Sequence, residues 1–331
     1  MSKLFEIFEN LLDRNKNNPD GIIETASIPG IKNHKIGISE NIFPTFFIKC
    51  KGGSNQIKQL SLKIISVNIN IRCQLYANGK LIDDANYAQV ILKSESWEMK
   101  KYFIDIISTI LPNFNDEEDG NKVKDELDKV VNLFSKLNAG PKKSIQGLWA
   151  ELLLINMSDS PDYLINAWHI SSNDKYDFND GCDKIEVKST EKTKRAHNFS
   201  IEQLTTTQNS NLIIASFLVY ESGIGTTVFD LSNSIKSRIN DVDTKIKLDS
   251  VIAECLGTDF ELAFEKYFDN DYGIENLKLY QSNTIPSISI KDIPSCVSEV
   301  KFVADLTAIN SINEISYKSK LHELLKIPNN L

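Results

Sequence analysis

Lys175-Tyr176-Asp177-Phe178-Asn179-Asp180-Gly181-Cys182-Asp183-Lys184-Ile185-Glu186-Val187-Lys188-Ser189 is the stretch on which the fold turns. Two runs with strand character, 175–178 and 184–189, flank Asn179-Asp180-Gly181, whose residue types favour a tight turn. A hairpin here brings Asp177 beside Glu186 and Lys188. Along an extended strand residues i and i+2 share a face, so Glu186 and Lys188 point one way while Val187 packs into the core.

Working outward, the periodicity predicts a helix over 144–157, a strand near 163–168, a helix over 200–207 and a strand over 212–220. The last run is almost continuously apolar, as expected of a strand buried on both faces of a mixed sheet. Together these elements give an α-β-β-β-α-β order, an α/β (α+β) core. On its N-terminal side, Leu4, Phe5, Phe8, Leu11 and Leu12 form one face of a helix over 2–15. Residues 22–92 read as antiparallel strands with a hairpin at Tyr76-Ala77-Asn78-Gly79-Lys80. A helix ending at Pro112, a charged loop over 115–121 and a second helix through Leu137 follow. Ala139-Gly140-Pro141 then breaks the chain. The expected organisation is an N-terminal β-rich domain with helices (1–139), a core (140–230) and a C-terminal extension (231–331) with helices over 230–268 and strands over 277–309.

Asp177 and Glu186 are carboxylates of the kind that hold Mg²⁺, which takes a few oxygen ligands and keeps several waters. The Val187 carbonyl is a candidate third ligand. Glu151, a polar interruption in Gly147-Leu148-Trp149-Ala150-Glu151-Leu152-Leu153, is a candidate fourth. Lys188 is placed to position a water or to stabilise developing charge, and such a set suits phosphodiester hydrolysis. Lys192, Lys194, Arg195 and His197 follow, and Ser200-Ile201-Glu202-Gln203 fits a capping box, so a basic approach to a helix entrance forms a candidate phosphate-contacting set that includes Ser200 and Gln203.

Each of these residues has a plainer reading. Acid-x-Lys also occurs at Glu98-Met99-Lys100, Asp243-Thr244-Lys245 and Glu299-Val300-Lys301, the last on an expected strand. Glu186 and Lys188 then form a salt pair on an exposed edge, which contributes little. Asp177 becomes a turn residue, Glu151 the solvated side of an amphipathic helix, Ser200 a cap, and the basic residues with His197 an ordinary loop. The element context, with an acid on the preceding helix and another across a turn, separates the triplet at 186 from its three look-alikes.

With 41% hydrophobic and 25% charged residues the chain is globular. Five scattered cysteines without a Cys-x-x-Cys pair indicate neither a zinc site nor a disulfide framework. The charged N-terminal helix is unlike a signal peptide or membrane span, so a soluble cytoplasmic protein without membrane association is expected. A formal net charge of −8 provides no global attraction to a polyanion, and nucleic-acid binding then depends on local basic patches or on a partner.

Asp177, Glu186-Val187-Lys188 and their setting resemble the PD-(D/E)XK nuclease superfamily, with Tyr176 standing where its proline would be. More narrowly, Gly147-Leu148-Trp149-Ala150-Glu151-Leu152, Trp168, Asp177-Phe178, Glu186 to Thr190, and His197 to Leu204 resemble a bacterial group of PD-(D/E)XK proteins encoded beside restriction and phage-defence genes. The likeness extends through Ile285-Pro286 and Val300 to Leu306. It implies a restriction-endonuclease-like core, Mg²⁺ dependence with Mn²⁺ as a substitute, and a DNA substrate. It also implies catalytic roles for Asp177, Glu186, Lys188 and Glu151. Homodimerisation or association with other defence-system subunits is a further expectation. A partner-activated or non-catalytic DNA-binding subunit, and an RNA-cleaving effector, remain the alternatives.

Overall fold

The computed structural model describes residues 3–15, 23–39, 42–51, 58–168, 175–204, 211–312, 315 and 319–325. The chain forms two compact units, Met1–Asn138 and Ala139–Leu331.

The first unit begins with α1 (Lys3–Asn15), followed by β1 (Ile23–Ser27), β2 (Lys35–Ser39), β3 (Phe43–Lys49), β4 (Lys58–Ser61), β5 (Ile65–Ala77) and β6 (Lys80–Leu92), and then α2 (Trp97–Ile110) and α3 (Gly120–Ser135). Among the described residues the strands pair in the order β1-β2-β3-β6-β5-β4, with β1 also meeting β5. The long β5–β6 hairpin turns at Asn78 (φ 52°) and Gly79 (φ 72°), the two left-handed positions that an Asn-Gly turn accommodates. Phe46 of β3, Phe103 of α2 and Phe134 of α3 meet edge to face at ring separations of 5.8 and 6.0 Å, which joins both helices to the sheet.

The second unit contains α4 (Ile145–Met157), α5 (Pro161–Ala167), β7 (Phe178–Asn179), β8 (Asp183–Thr190), β9 (Ala196–Ser200), α6 (Ile201–Leu204), β10 (Asn211–Leu218) and β11 (Glu221–Ser222). After these come α7 (Val228–Ser237), α8 (Val242–Leu256), β12 (Tyr267–Phe268), α9 (Asn270–Glu275), β13 (Lys278–Gln281), β14 (Lys301–Asp305) and α10 (Lys320–Glu323). The central sheet runs β13-β10-β8-β7. β10 is parallel to β8, with Ile214 opposite Glu186 and Ser216 opposite Lys188, while β13 and β7 are antiparallel to their neighbours. This is the expected mixed α/β sheet, and β10 is buried from Leu212 to Phe217, as its apolar run requires. β9 pairs with β14, and Phe199, Leu212, Ile214, Tyr280, Ala304 and Leu306 form a core between that ribbon and the central sheet.

Two local expectations are corrected. Residues 161–167 are helical rather than extended. Pro161 at the first helical position and Asp162 in the first turn are helix-start signals, and they outweigh the apolar run Leu164-Ile165. Only Trp168 keeps a strand-like role, bridging to Phe178 with the two rings stacked 6.1 Å apart. The second correction is that 196–200 is a strand, so the basic residues lead into β9 and not directly into a helix. That strand restores the three-strand count of the α-β-β-β-α-β order. α6 is described only to Leu204, and the remainder of the expected helix over 200–207 lies outside the described residues. β7 is also shorter than expected, at two residues.

Candidate active site

α4 supplies the first carboxylate. Ser144 caps it by accepting the Gly147 N–H at 3.1 Å, and the helix is apolar nearly all round, with Leu148 through Ile155 buried. A helix of that kind lies inside its unit, so Glu151 is only 3% exposed and is not the solvated side of an amphipathic helix. A buried carboxylate requires hydrogen-bond donors. Trp168 provides one through its indole N–H, 2.7 Å from Glu151 Oε2, and Lys143 Nζ lies 2.5 Å from Oε1. The same ammonium is 2.5 Å from Asp177 Oδ1. Asp177 Oδ2 in turn accepts the Val187 N–H at 2.8 Å, which fixes the carboxylate against β8. In an extended strand a residue's carbonyl leaves on the same side as its own N–H, so the Val187 carbonyl is directed toward Asp177.

Glu186 and Lys188 share one face of β8, as the period of two requires, and Nζ sits 2.7 Å from Glu186 Oε1. Their side chains are 4% and 18% exposed, which excludes the reading of a salt pair on an open edge. Gln203 donates from Nε2 to the same Oε1 at 2.6 Å, and the Lys188 ammonium lies 5.1 Å from the centre of the Phe199 ring. Gln146, on the first turn of α4, donates to Ser189 Oγ of β8 at 3.1 Å.

The electrostatics reflect two buried acids flanking a third. Burial raises the pKa of Glu151, and the charge of Asp177 raises it further, against the pull of Lys143 and Trp168. Glu186 is raised in the same way, by burial and then by Asp177, with Lys188 opposing. For Lys143 burial favours the neutral amine, but Glu151 and Asp177 together more than offset this and hold the ammonium above its ordinary range. Among the described residues no three His, Cys, Asp or Glu side chains are arranged to hold a metal ion. The carboxylates of Glu151, Asp177 and Glu186 are each turned toward a lysine ammonium group.

A family model described as "Putative PD-(D/E)XK family member, (DUF4420)" matches residues 9–307. The chain belongs to this family. No curated protein and no solved structure matches it. Within this PD-(D/E)XK chain, Glu186-Val187-Lys188 lies in the interior of β8. The three look-alike triplets lie elsewhere: Glu98 and Asp243 open α2 and α8, and Glu299 has φ 56°, off the strand that starts at Lys301.

The remaining expected residues divide. Lys192 and Lys194 are exposed on the segment between β8 and β9. Ser200 and Gln203 form the expected reciprocal cap, with the Gln203 N–H donated to Ser200 Oγ at 3.3 Å and the Ser200 N–H to Gln203 Oε1 at 3.0 Å. Arg195 is not on the loop surface. It is 3% exposed and donates to Ser216 O at 2.6 Å, to Ser216 Oγ at 3.0 Å and to Asn276 O at 2.5 Å. His197 is 4% exposed, with Nε2 2.8 Å from Ser216 Oγ. The sequence places both in a candidate phosphate-contacting set, whereas the β9–β14 pairing draws them into the unit. Lys143 lies outside the set of residues that the sequence points to. Its only signal is its position, immediately before a helix cap, where the helix dipole disfavours a cation and some other attraction must hold it.

Proposed function

We propose that the second unit is a Mg²⁺-dependent phosphodiesterase that cleaves DNA. The observation that carries this reading is the grouping of the buried Glu151 and Glu186 with the partly buried Asp177 and Lys188, on and beside strand β8 of a PD-(D/E)XK chain. Carboxylate oxygens and the Val187 carbonyl are hard donors that suit Mg²⁺ or Mn²⁺, and the two ammonium groups among them mark a place where positive charge is favoured. When bound, the ion supplies charge compensation on the phosphate and a water acidified toward neutral pH.

The chain's own residues set the geometry. The Val187 N–H fixes Asp177, Trp168 fixes Glu151, and Gln203 fixes Glu186. Lys188, held over Phe199, has an ammonium available to orient a water or to face the phosphate as charge develops. Exposed Lys192 and Lys194 are candidate contacts to the nucleic-acid backbone. A role in restriction or phage defence is supported by the resemblance to proteins encoded beside such genes.

Incubation of the full chain with plasmid DNA, and with DNA and RNA oligonucleotides of one sequence, tests the reading. Mg²⁺-dependent cleavage of DNA, reduced at least about 100-fold in Glu186→Gln and in Lys188→Met, is expected. Cleavage unaffected by either change would sink it, and preferential cleavage of the RNA strand would transfer the same chemistry to an RNA substrate. A formal net charge of −8 favours one variant of the reading, in which a partner supplies part of the nucleic-acid affinity. Cleavage appearing only with a co-purified partner would identify it.

A further inference from the structure

We infer that Lys143 is a built-in counter-ion of this site: its ammonium neutralises Glu151 and Asp177 in the absence of a divalent cation, and cation binding displaces it. The inference rests on the reading of these carboxylates as metal ligands and adds a residue which that reading does not include.

The backbone around Lys143 is held from outside the site. The Lys142 and Lys143 N–H groups both donate to Cys255 O, at 2.9 and 3.2 Å, and the Thr258 N–H donates to Ala139 O at 2.9 Å. Residues 139–143 are thereby fixed to the C-terminal end of α8, and only the flexible four-carbon stem of Lys143 reaches inward. The ammonium can leave the carboxylates without any movement of the backbone, because nothing in the anchoring depends on it.

What draws it inward is electrostatic. A lysine beside a helix N-terminus meets the positive end of the helix dipole, and burial adds a desolvation penalty. Two contacts of 2.5 Å, to carboxylates 26 residues apart, one on α4 and one just before β7, overcome both. Lys188 is different, since it bonds Glu186 on its own strand. Lys143 instead has the connectivity of a bridging cation, one positive centre touched by oxygens of α4 and of the chain leading into β7. Three carboxylates faced by two ammonium groups leave the site close to neutral without any ion. A dication that takes the same oxygens meets an occupied position, and its apparent affinity falls by the strength of that competition.

The probe is Mn²⁺ alone, titrated by calorimetry and followed by electron paramagnetic resonance, into the full chain at neutral pH. Wild type is compared with Lys143→Met and Lys143→Gln, the second of which retains a hydrogen-bond donor. At least tenfold tighter Mn²⁺ binding in both variants is expected. Equal or weaker binding in the variants, with binding by the wild type intact, overturns the counter-ion role and leaves the nuclease reading standing, with Lys143 as a support for the carboxylates. Absence of Mn²⁺ binding in all three proteins overturns both. If a variant is unfolded without the ion, millimolar Mn²⁺ refolds it under this proposal, and failure to refold counts against it.

Discussion

Replacing Arg195 with methionine separates a structural arginine from a nucleic-acid-contacting one. The guanidinium is buried, and its partners are two carbonyl oxygens and a hydroxyl rather than a carboxylate. Methionine retains much of the volume but leaves Ser216 O and Asn276 O without a charged donor, a loss of about 1–3 kcal/mol for each. Burial lowers the pKa of Arg195, so the charged form is held at some expense, and removing it offsets part of the loss. The net destabilisation is about 2–4 kcal/mol. For a unit of this size, each kcal/mol shifts Tm by about 2–4 °C, which gives a fall of roughly 4–16 °C. Calorimetric unfolding measures this directly, and DNA affinity determined across a salt series provides the contrast. Lys192→Ala and Lys194→Ala should leave Tm within about 1 °C while each reduces the salt slope by about 1. An unchanged Tm for Arg195→Met, together with a tenfold loss of DNA affinity, would return Arg195 to the surface that meets phosphate and refute the reasoning.

Three further outcomes follow from the same packing. His197 Nε2 lies 2.8 Å from Ser216 Oγ, and burial, then Lys188 and Arg195, depress its pKa from 6.5 to about 4. Between those values the unfolded chain binds the proton and the folded chain does not, so this contribution, up to about 3 kcal/mol, is complete above pH 6.5 and is lost as pH falls toward 4. Chemical denaturation from pH 7 to 4 should show that slope in the wild type and a flatter one in His197→Gln. Gly257→Ala should lower unfolding stability by about 3 kcal/mol or more, since Gly257 has φ +47° and an added Cβ would lie 2.1 Å from Ala139 O. In the first unit, the Lys122 ammonium, aided by the N–H groups of Asn115 and Asp119, outweighs burial and holds the Glu118 carboxyl at about 2. Its folded pKa is depressed, so the stability it adds is present above about pH 4.5 and is lost as pH falls through 2; Glu118→Gln should abolish that part of the acid transition in a thermal scan.

The elements that could be read from the chain are those whose burial is written into a period. β10 is buried on both faces and reads as an unbroken apolar run, β8 alternates charged and apolar residue types from Lys184 to Lys188 even though Glu186 is buried with its neighbours, and the Asn78-Gly79 turn is set by two left-handed positions. α5 is not legible as a helix because its seven residues are too few to establish a helical period, and the decisive information lies in its helix-start residues Pro161 and Asp162. β9 was missed for a related reason. Its partner, β14, lies about a hundred residues further along, and no local pattern in Ala196-His197-Asn198-Phe199-Ser200 reports a pairing made at that distance.

The site divides along the same line. Glu186 and Lys188 were legible because two residues on one strand must share a face, and Gln203 because a capping box is local. Arg195 and Lys143 have the same kinds of side chain as Lys192 and Lys194, and sequence distance from the triplet ranks them in the wrong order. Arg195 is seven residues from Lys188 and spends its charge on main-chain oxygens. Lys143, 34 residues from Asp177, bonds it directly. What a cation does in this fold is decided by which oxygens are left to receive it once the sheet has closed. β10 and the turn after α9 present carbonyls to Arg195, whereas α4 and the approach to β7 present carboxylates to Lys143. The same reasoning explains why Lys188 is the lysine best suited to substrate. It contacts a single carboxylate, which Gln203 also bonds, whereas withdrawal of Lys143 leaves two acids, Glu151 and Asp177, each with one neutral donor but with no cation between them, and so requires another cation there.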